Sequence, residues 1–460
     1  MDVHSIQWIL IIGSSLILFW IAPWAKTSND FFRGSKLEKE PGFWMLTSSL
    51  VISWLFAKSI TNAANLGLSF GLVGGVAYAT YYLSFLTAGI IIYRMRVQGG
   101  FRSLHHFLNS RYGKGGVILF SILISFRLLN EVWSNTMVIG TYFGEQGSSS
   151  YYLAILVFTI LTVAYTLKGG LRSSLLTDLI QMILFGVLLF IILGMILPEK
   201  NGDIGSFIQT GTWSMAGGLN LLLVAFLQVF SYPFHDPVLT DRAFIAPPKT
   251  TLYSFIVATF IGGACIILFS FVGIYGQMEG VSGQAPVEVS KLLGVGMQLM
   301  MNFIMITSAA STLDSTFNSF SKLVVIDLSK KKEGVISLGR WVIVGIALVG
   351  TIPIFLGAEI LAATTISGTM VIGLTPIFVF WKKKVPVLSY YLSVGVGVVF
   401  GFWLAIGAWP ESWVFFEGKY GDLLSVNIMA FVASLLGYWG PTLRTPRRNI
   451  DYSDKVQPAS

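Results

Sequence analysis

Residues 307–328, TSAASTLDSTFNSFSKLVVIDL, put a run of hydroxyls and one carboxylate into a stretch whose flanks are apolar enough to lie in a membrane. With about 100° of rotation per helical residue, Ser308, Ser311, Thr312, Ser315 and Ser319 share one stripe, while Leu313, Phe317 and Phe320 lie toward the far side. An acid such as Asp314 costs roughly 2.5 to 3.5 kcal/mol at the centre of a membrane helix on insertion scales, so such residues face a cavity, a partner or an ion rather than lipid. The stripe is therefore a site candidate.

The flanking sequence sets the fold class. The chain has 460 residues, 54% hydrophobic and 11% charged, with a mean hydropathy of +0.74 spread along its length. These values predict an all-α integral membrane protein with no soluble domain of ordinary size. Thirteen apolar stretches long enough to span about 30 Å of hydrocarbon fall at 6–24, 42–70, 72–93, 115–143, 150–167, 173–197, 217–236, 250–277, 299–327, 337–356, 359–381, 387–408 and 421–440. An odd number places the two ends on opposite sides.

The basic residues test this topology independently. With the N-terminus outside and the C-terminus cytoplasmic, the cytoplasmic connections hold 24 of the 30 Lys and Arg, and the outer ones hold Lys200, Lys291 and Lys419. Lys58, Arg127 and Lys322 fall inside helices. This asymmetry follows the positive-inside rule for a cytoplasmic-membrane protein. The net charge of +8 is dispersed over short loops beside anionic lipid and requires no nucleic-acid partner. The first apolar stretch has its positive flank from Lys26 onward, the reverse of a cleaved signal peptide, and is expected to remain as a helix. Cys265 is the lone cysteine, which leaves no intrachain disulfide and no Cys cluster for a metal. The run Lys382–Lys384 reads as a solvated turn.

Setting aside an N-terminal helix and loop (1–41) and two C-terminal helices (382–441) leaves ten helices, five in 42–197 and five in 217–381, joined by an outer loop (198–216) and followed by a tail (442–460). An odd number in each half gives the halves opposite orientations. Inverted repeats of this kind place binding sites near the midplane, where the first helix of each half is interrupted. In the first half the polar run AKSITNAANLG (57–67) is expected to break the helix; in the second, SYPFHDP (231–237) supplies Pro233 and Pro237 around His235 and Asp236.

At 165–181, YTLKGGLRSSLLTDLIQ, the chain resembles the sodium:solute symporter family, relatives of the sodium/sugar, sodium/proline and sodium/sialic acid cotransporters. The ending Phe317, Asn318, Ser319, Ser321, Leu323, Ile326 and Asp327 of the opening segment is similar to the family's eighth core helix, and the helix order also matches. The resemblance implies a five-plus-five, LeuT-like core and a sodium site made by the carbonyls of Ile52 and Leu55 with the hydroxyls of Ser308, Ser311 and Thr312. Neutral oxygens of this kind suit a hard cation without burying a net charge in the empty site; the competing expectation is that the hydroxyls bond back to their own helix. Asp178 matches a position near an additional sodium in some members, or it pairs with Arg or Lys; Asp314 reaches a second ion, a basic residue or water.

The resemblance places a substrate cavity beside Lys58, Ser59 and Tyr232, and Asn62, Tyr78, Glu131, Asn135 and His235 are further candidates for its wall. Lys58 stands where sugar-transporting relatives present acidic and amide groups, so it either attracts an anionic solute or pairs with Glu131, Asp178 or Asp314. Tyr232 matches an inner-gate tyrosine; His235 and Asp236 bind solute, couple a proton or stitch the kink. Arg127 and Glu131, four residues apart, read as an intrahelical pair.

The functional expectation is a secondary active transporter, not an enzyme, that carries a small organic solute into the cell with Na+ by alternating access. No GxxxxGK[ST] motif supports a primary pump. A proton-coupled transporter of the same fold, or a transporter-like sensor without transport, are the alternatives. The solute and the oligomeric state are not specified by the sequence.

Overall fold

A computed structural model describes residues 2–33, 41–329, 335–357 and 360–444. The chain begins with α1 (Val3–Ile21), capped by Asp2, whose carboxylate accepts from Ser5 N, and a short α2 (Ser28–Arg33). The next span is broken: α3 (Phe43–Ile52) and α4 (Ala57–Phe70) meet at 59° across a non-helical Ser53–Phe56. α5 (Leu72–Ala79) and α6 (Leu83–Gly99) together form one span, and α7 (Leu104–Thr141) forms another.

α8 (Ser149–Glu199) is hydrogen-bonded over 51 residues. A straight helix of that length would reach about 77 Å, more than twice the hydrocarbon thickness. Gly170, at φ 59° and ψ −152°, instead folds it into two spans, Ser149–Leu171 and Ser173–Glu199. That conformation is essentially restricted to glycine, and a Cβ there would meet the backbone of Phe31 in α2. The KGG of the 165–181 motif is thus a hairpin point between two membrane spans.

After α9 (Ile204–Ile208) comes the second broken span: α10 (Asn220–Gln228), a 3-10 turn at Tyr232–His235, then α11 (Pro237–Arg242). α12 (Pro248–Met278) returns, and α13 (Ala285–Leu292) precedes α14 (Val295–Lys322), the helix of the hydroxyl stripe. The fold finishes with α15 (Val335–Thr351), α16 (Ala362–Met370), α17 (Leu374–Val379), α18 (Val387–Ala405) and α19 (Gly421–Arg444).

Among the described residues nine helical segments are long and apolar enough to cross a membrane, and the bent α3–α4 pair makes a tenth. The other three of the thirteen expected spans are helical but interrupted or polar. Residues 217–236 are split around the two prolines, α14 carries the polar stripe, and 359–381 is divided between α16 and α17. α19 runs through Pro441 to Arg444, into the segment read as tail; residues 445–460 lie outside the described residues.

The break in the first core span lies before the polar run, not within it. Residues 57–67 stay helical because their side chains find partners without unwinding the backbone: Lys58 bonds Glu131, Ser59 and Asn62 bond Tyr78, and Asn65 bonds Gln284. α4 lies tightly along α12, where a Cβ on Gly67 or Gly273 would strike the opposite backbone at Ser270 or Ala64. Such close approach through small residues is how membrane helices gain packing energy without a hydrophobic drive between them.

Candidate functional site

The break between α3 and α4 leaves backbone oxygens free. The Val51 carbonyl accepts from Trp54 N and Leu55 N, the Phe56 carbonyl accepts from Ser59 N and Ile60 N, and the Trp54 carbonyl accepts from Tyr82 OH at 2.6 Å. Among the described residues no donor reaches the carbonyls of Ile52 or Leu55. Buried carbonyls are rarely left unmet, so two of them at one bend are an observation to be explained.

α14 packs against both halves of the broken span and supplies the hydroxyls. Ser308 Oγ is buried with no hydrogen-bond partner. Ser311 donates to Asp178 Oδ1 at 2.7 Å, and Thr312 donates to the Ser308 carbonyl at 3.0 Å. The back-bonding expected as the competing use of these groups is therefore present in Thr312. It does not remove the hydroxyl as a ligand, because a hydroxyl that spends its proton on one acceptor keeps lone pairs for a cation.

Asp178 is fully buried and receives three donors: Ser49 Oγ at 2.6 Å, Ser311 Oγ at 2.7 Å and Arg242 Nη2 at 2.9 Å. Of the two expected roles, the salt bridge is the one formed. Arg242, at the end of α11, also donates to Ser49 Oγ, Ser315 Oγ and the Val238 carbonyl, so this guanidinium ties α3, α8, α11 and α14 together. Asp314 is 1% exposed and accepts from Ser174 Oγ at 2.9 Å and Thr177 Oγ1 at 3.3 Å. Among the described residues no basic side chain forms an ion pair with it. Nearby, Lys322 and Asp241 bridge α14 to α11 at 2.5 Å.

A second cluster gathers the residues read as the substrate cavity. Lys58 Nζ meets Glu131 Oε1 at 2.6 Å; Arg127 pairs with the same carboxylate and reaches Asp236 Oδ2 at 3.2 Å. The expected Arg127–Glu131 pair thus exists as the middle of a buried chain of alternating sign, with Lys58 and Asp236 at its ends. Asn135 Nδ2 donates to Glu131 Oε2, and its Oδ1 accepts from Lys58 N, securing the first turn of α4. Asp236 stitches the kink: it caps α11 through Val238 N and Leu239 N and accepts from Trp54 Nε1 at 2.9 Å. The Tyr232 ring contacts Trp54, Tyr81 and His235 and lies 5.3 Å from the Arg127 guanidinium. Tyr78 OH lies 3.1 Å from Ser59 Oγ and 3.3 Å from Asn62 Nδ2.

Sequence reasoning missed Arg242, counted only as a loop charge, and the hydroxyls of Ser49, Ser174 and Thr177. Asp178 carried the signal, since a membrane acid needs a cation. Arg242, at the close of a broken helix, was available to supply it. Ser315 lay in the stripe without a role and now bridges Arg242 to Ser174.

Residues 39–215 match the model of the sodium:solute symporter family. Solute carrier family 5 member 4A of Mus musculus is 25% identical over 69% of this chain and 57% of its own length; member 4B is 24% identical over 35% and 24%. The chain thus spans little more than half the length of the first of these relatives. Among solved structures, a Na+-coupled sialic acid symporter in a substrate-bound, outward-open state aligns over 97% of this chain and 99% of its own, with a TM-score of 0.68 at 15% identity. Mhp1, a nucleobase-cation-symport-1 family transporter in a closed conformation with bromovinylhydantoin bound, aligns over 92% and 96%, with a TM-score of 0.56 at 13% identity. The family resemblance is borne out, with the 165–181 motif inside the matched residues, and the fold is that of LeuT-like transporters.

Proposed function

We propose that this chain, similar over residues 39–215 to the sodium:solute symporter family, is a sodium-coupled symporter of a small organic solute. Sodium binds between the α3–α4 break and α14, using the carbonyls of Ile52 and Leu55 and the hydroxyls of Ser308, Ser311 and Thr312. The observation that carries this reading is the coincidence of unmet oxygens: two free carbonyls at a helix bend and, on the packed helix, a buried Ser308 hydroxyl without a partner. Sodium answers all three, because it accepts lone pairs and needs no acceptor in return. Asp178 orients Ser311 for this task, and Asp314 provides a position for a further coupling cation.

The two repeats run over 42–197 and 217–381, with the N-terminus outside and the C-terminus in the cytoplasm. In that orientation the Asp178–Arg242 and Lys322–Asp241 bridges close the cytoplasmic route, and they part when sodium and solute leave inward. The solute sits beside Lys58, Ser59, Asn62, Tyr78, Glu131, Asn135, Tyr232 and His235. The sodium gradient and membrane potential drive uptake, each transferred charge being worth about 2.3 kcal/mol per 100 mV.

Uptake by reconstituted vesicles, screened over sugars, amino acids, carboxylates, ureides and vitamins, tests this reading. Accumulation is expected only with an inward sodium gradient. Uptake that persists in full without sodium and follows a pH gradient would transfer the function to a proton-coupled transporter of the same fold.

A further inference from the structure

We infer that the solute carried by this site is an organic anion, recognised through a carboxylate or comparable oxyanion by Lys58 and Arg127. The inference deepens the symport reading and rests on it. It comes from a count of donors and acceptors in the buried chain Lys58–Glu131–Arg127–Asp236.

The acids are close to saturated, with one acceptor position left on Glu131 Oε2. Asp236 accepts from Trp54 Nε1, Arg127 Nη2, Val238 N and Leu239 N, and Glu131 takes Lys58, Arg127 and Asn135 Nδ2. The bases are not. Lys58 Nζ carries three donors and gives one hydrogen bond, to Glu131, leaving two over the Phe56 side, whose ring centroid lies 5.1 Å away. Arg127 Nε is buried with no acceptor. Thr61 Oγ1, on the helix of Lys58, and His235 Nε2, on the ring packed edge-on against Tyr232, are also buried without a partner; with Nδ1 donating to the Tyr232 carbonyl, Nε2 is an acceptor. The unmet capacity of the charged chain is therefore mostly of one kind, three donors against one acceptor position. A neutral polyol would leave the spare donors of the two cations without an anionic acceptor, and a cationic solute would find both acids already paired.

The charge balance points the same way. Lys58 and Arg127 cancel Glu131 and Asp236, so the cluster is neutral before a solute arrives. The proposed sodium ligands are neutral oxygens, with Leu55 only three residues before Lys58 along the chain. One sodium and one carboxylate then enter as a neutral couple, and each lowers the cost of burying the other. Binding of one ligand is expected to strengthen the other reciprocally.

The test uses purified full-length protein and thermal unfolding, with acids paired against their amides as probes: lactate and lactamide, benzoate and benzamide, nicotinate and nicotinamide, together with sorbitol and lysine. A ligand that binds the native state shifts unfolding by mass action. At least one acid is expected to stabilise the protein in sodium, with an apparent affinity at least tenfold above that of its amide and a lower affinity in potassium. Lys58→Met should abolish that preference, and Lys58→Arg, which keeps charge and donors, should retain it. Amides or sorbitol binding as well as the acids, or no acid in the panel binding, overturns the anion assignment. Sodium alone shifting unfolding relative to potassium shows that the ion site stands when the anion assignment fails; loss of that shift as well removes the symport reading beneath it.

Discussion

At the scale of single residues, charge in this molecule is spent on bridges and hydroxyls on orientation. Asp178 and Arg242 are each at most 1% exposed, and between them they hold Ser49, Ser311 and Ser315. Breaking a buried pair strands the remaining charge at a cost of about 3 to 5 kcal/mol, whereas removing both partners costs less than the sum. Asp178→Asn and Arg242→Gln are accordingly expected each to lower the unfolding temperature sharply, and the double variant to recover part of the loss. Additive losses in a thermal-unfolding series would show that the two do not act as a pair. Lys58 illustrates what a sequence conveys at this scale. Its need for a partner was legible from its position in a membrane helix, and Glu131 was among the named candidates. The extension through Arg127 to Asp236 was not legible, because it depends on the bend that brings α11 under α3, and no spacing along the chain encodes that.

At the scale of elements, two kinds of break do different work. Polar residues at 57–67 looked like a break and are a regular helix, because Lys58, Ser59, Asn62 and Asn65 are met across interfaces; the helix opens instead at SWLF, 53–56, a segment without charge or proline. Hydropathy reports what a segment tolerates around it and carries little information about its backbone hydrogen bonds. The SYPFHDP break was legible because proline removes a donor and clashes with the preceding turn, and Tyr232–His235 is indeed a 3-10 turn there. Gly170 is the third device, a backbone conformation that a Cβ would strain against Phe31. Gly170→Ala is expected to cost about 1 to 3 kcal/mol and to reduce the yield of folded protein from membranes. An unchanged unfolding temperature in detergent would show that the hairpin does not need that conformation.

At the scale of the whole molecule, the all-α membrane fold and its helix order were read from hydropathy and the distribution of Lys and Arg. Among the described residues, three expected spans lack either length or apolarity because they are broken or carry polar residues. Orientation has its own test. In a Cys265→Ser background, Lys419→Cys should react with a membrane-impermeant maleimide on intact cells, and Lys383→Cys only after permeabilisation. Both positions are exposed, so the reverse pattern would invert the topology. The central claim, that sodium binds where the α3–α4 break faces the hydroxyls of α14, is tested most directly by titrating the purified protein with sodium and with potassium while following thermal unfolding. Sodium should stabilise it saturably and potassium should not, and Ser308→Ala with Thr312→Ala should weaken the sodium response at least tenfold, about 1.4 kcal/mol. Equal stabilisation by both ions, or a sodium response unchanged in the double variant, would contradict it.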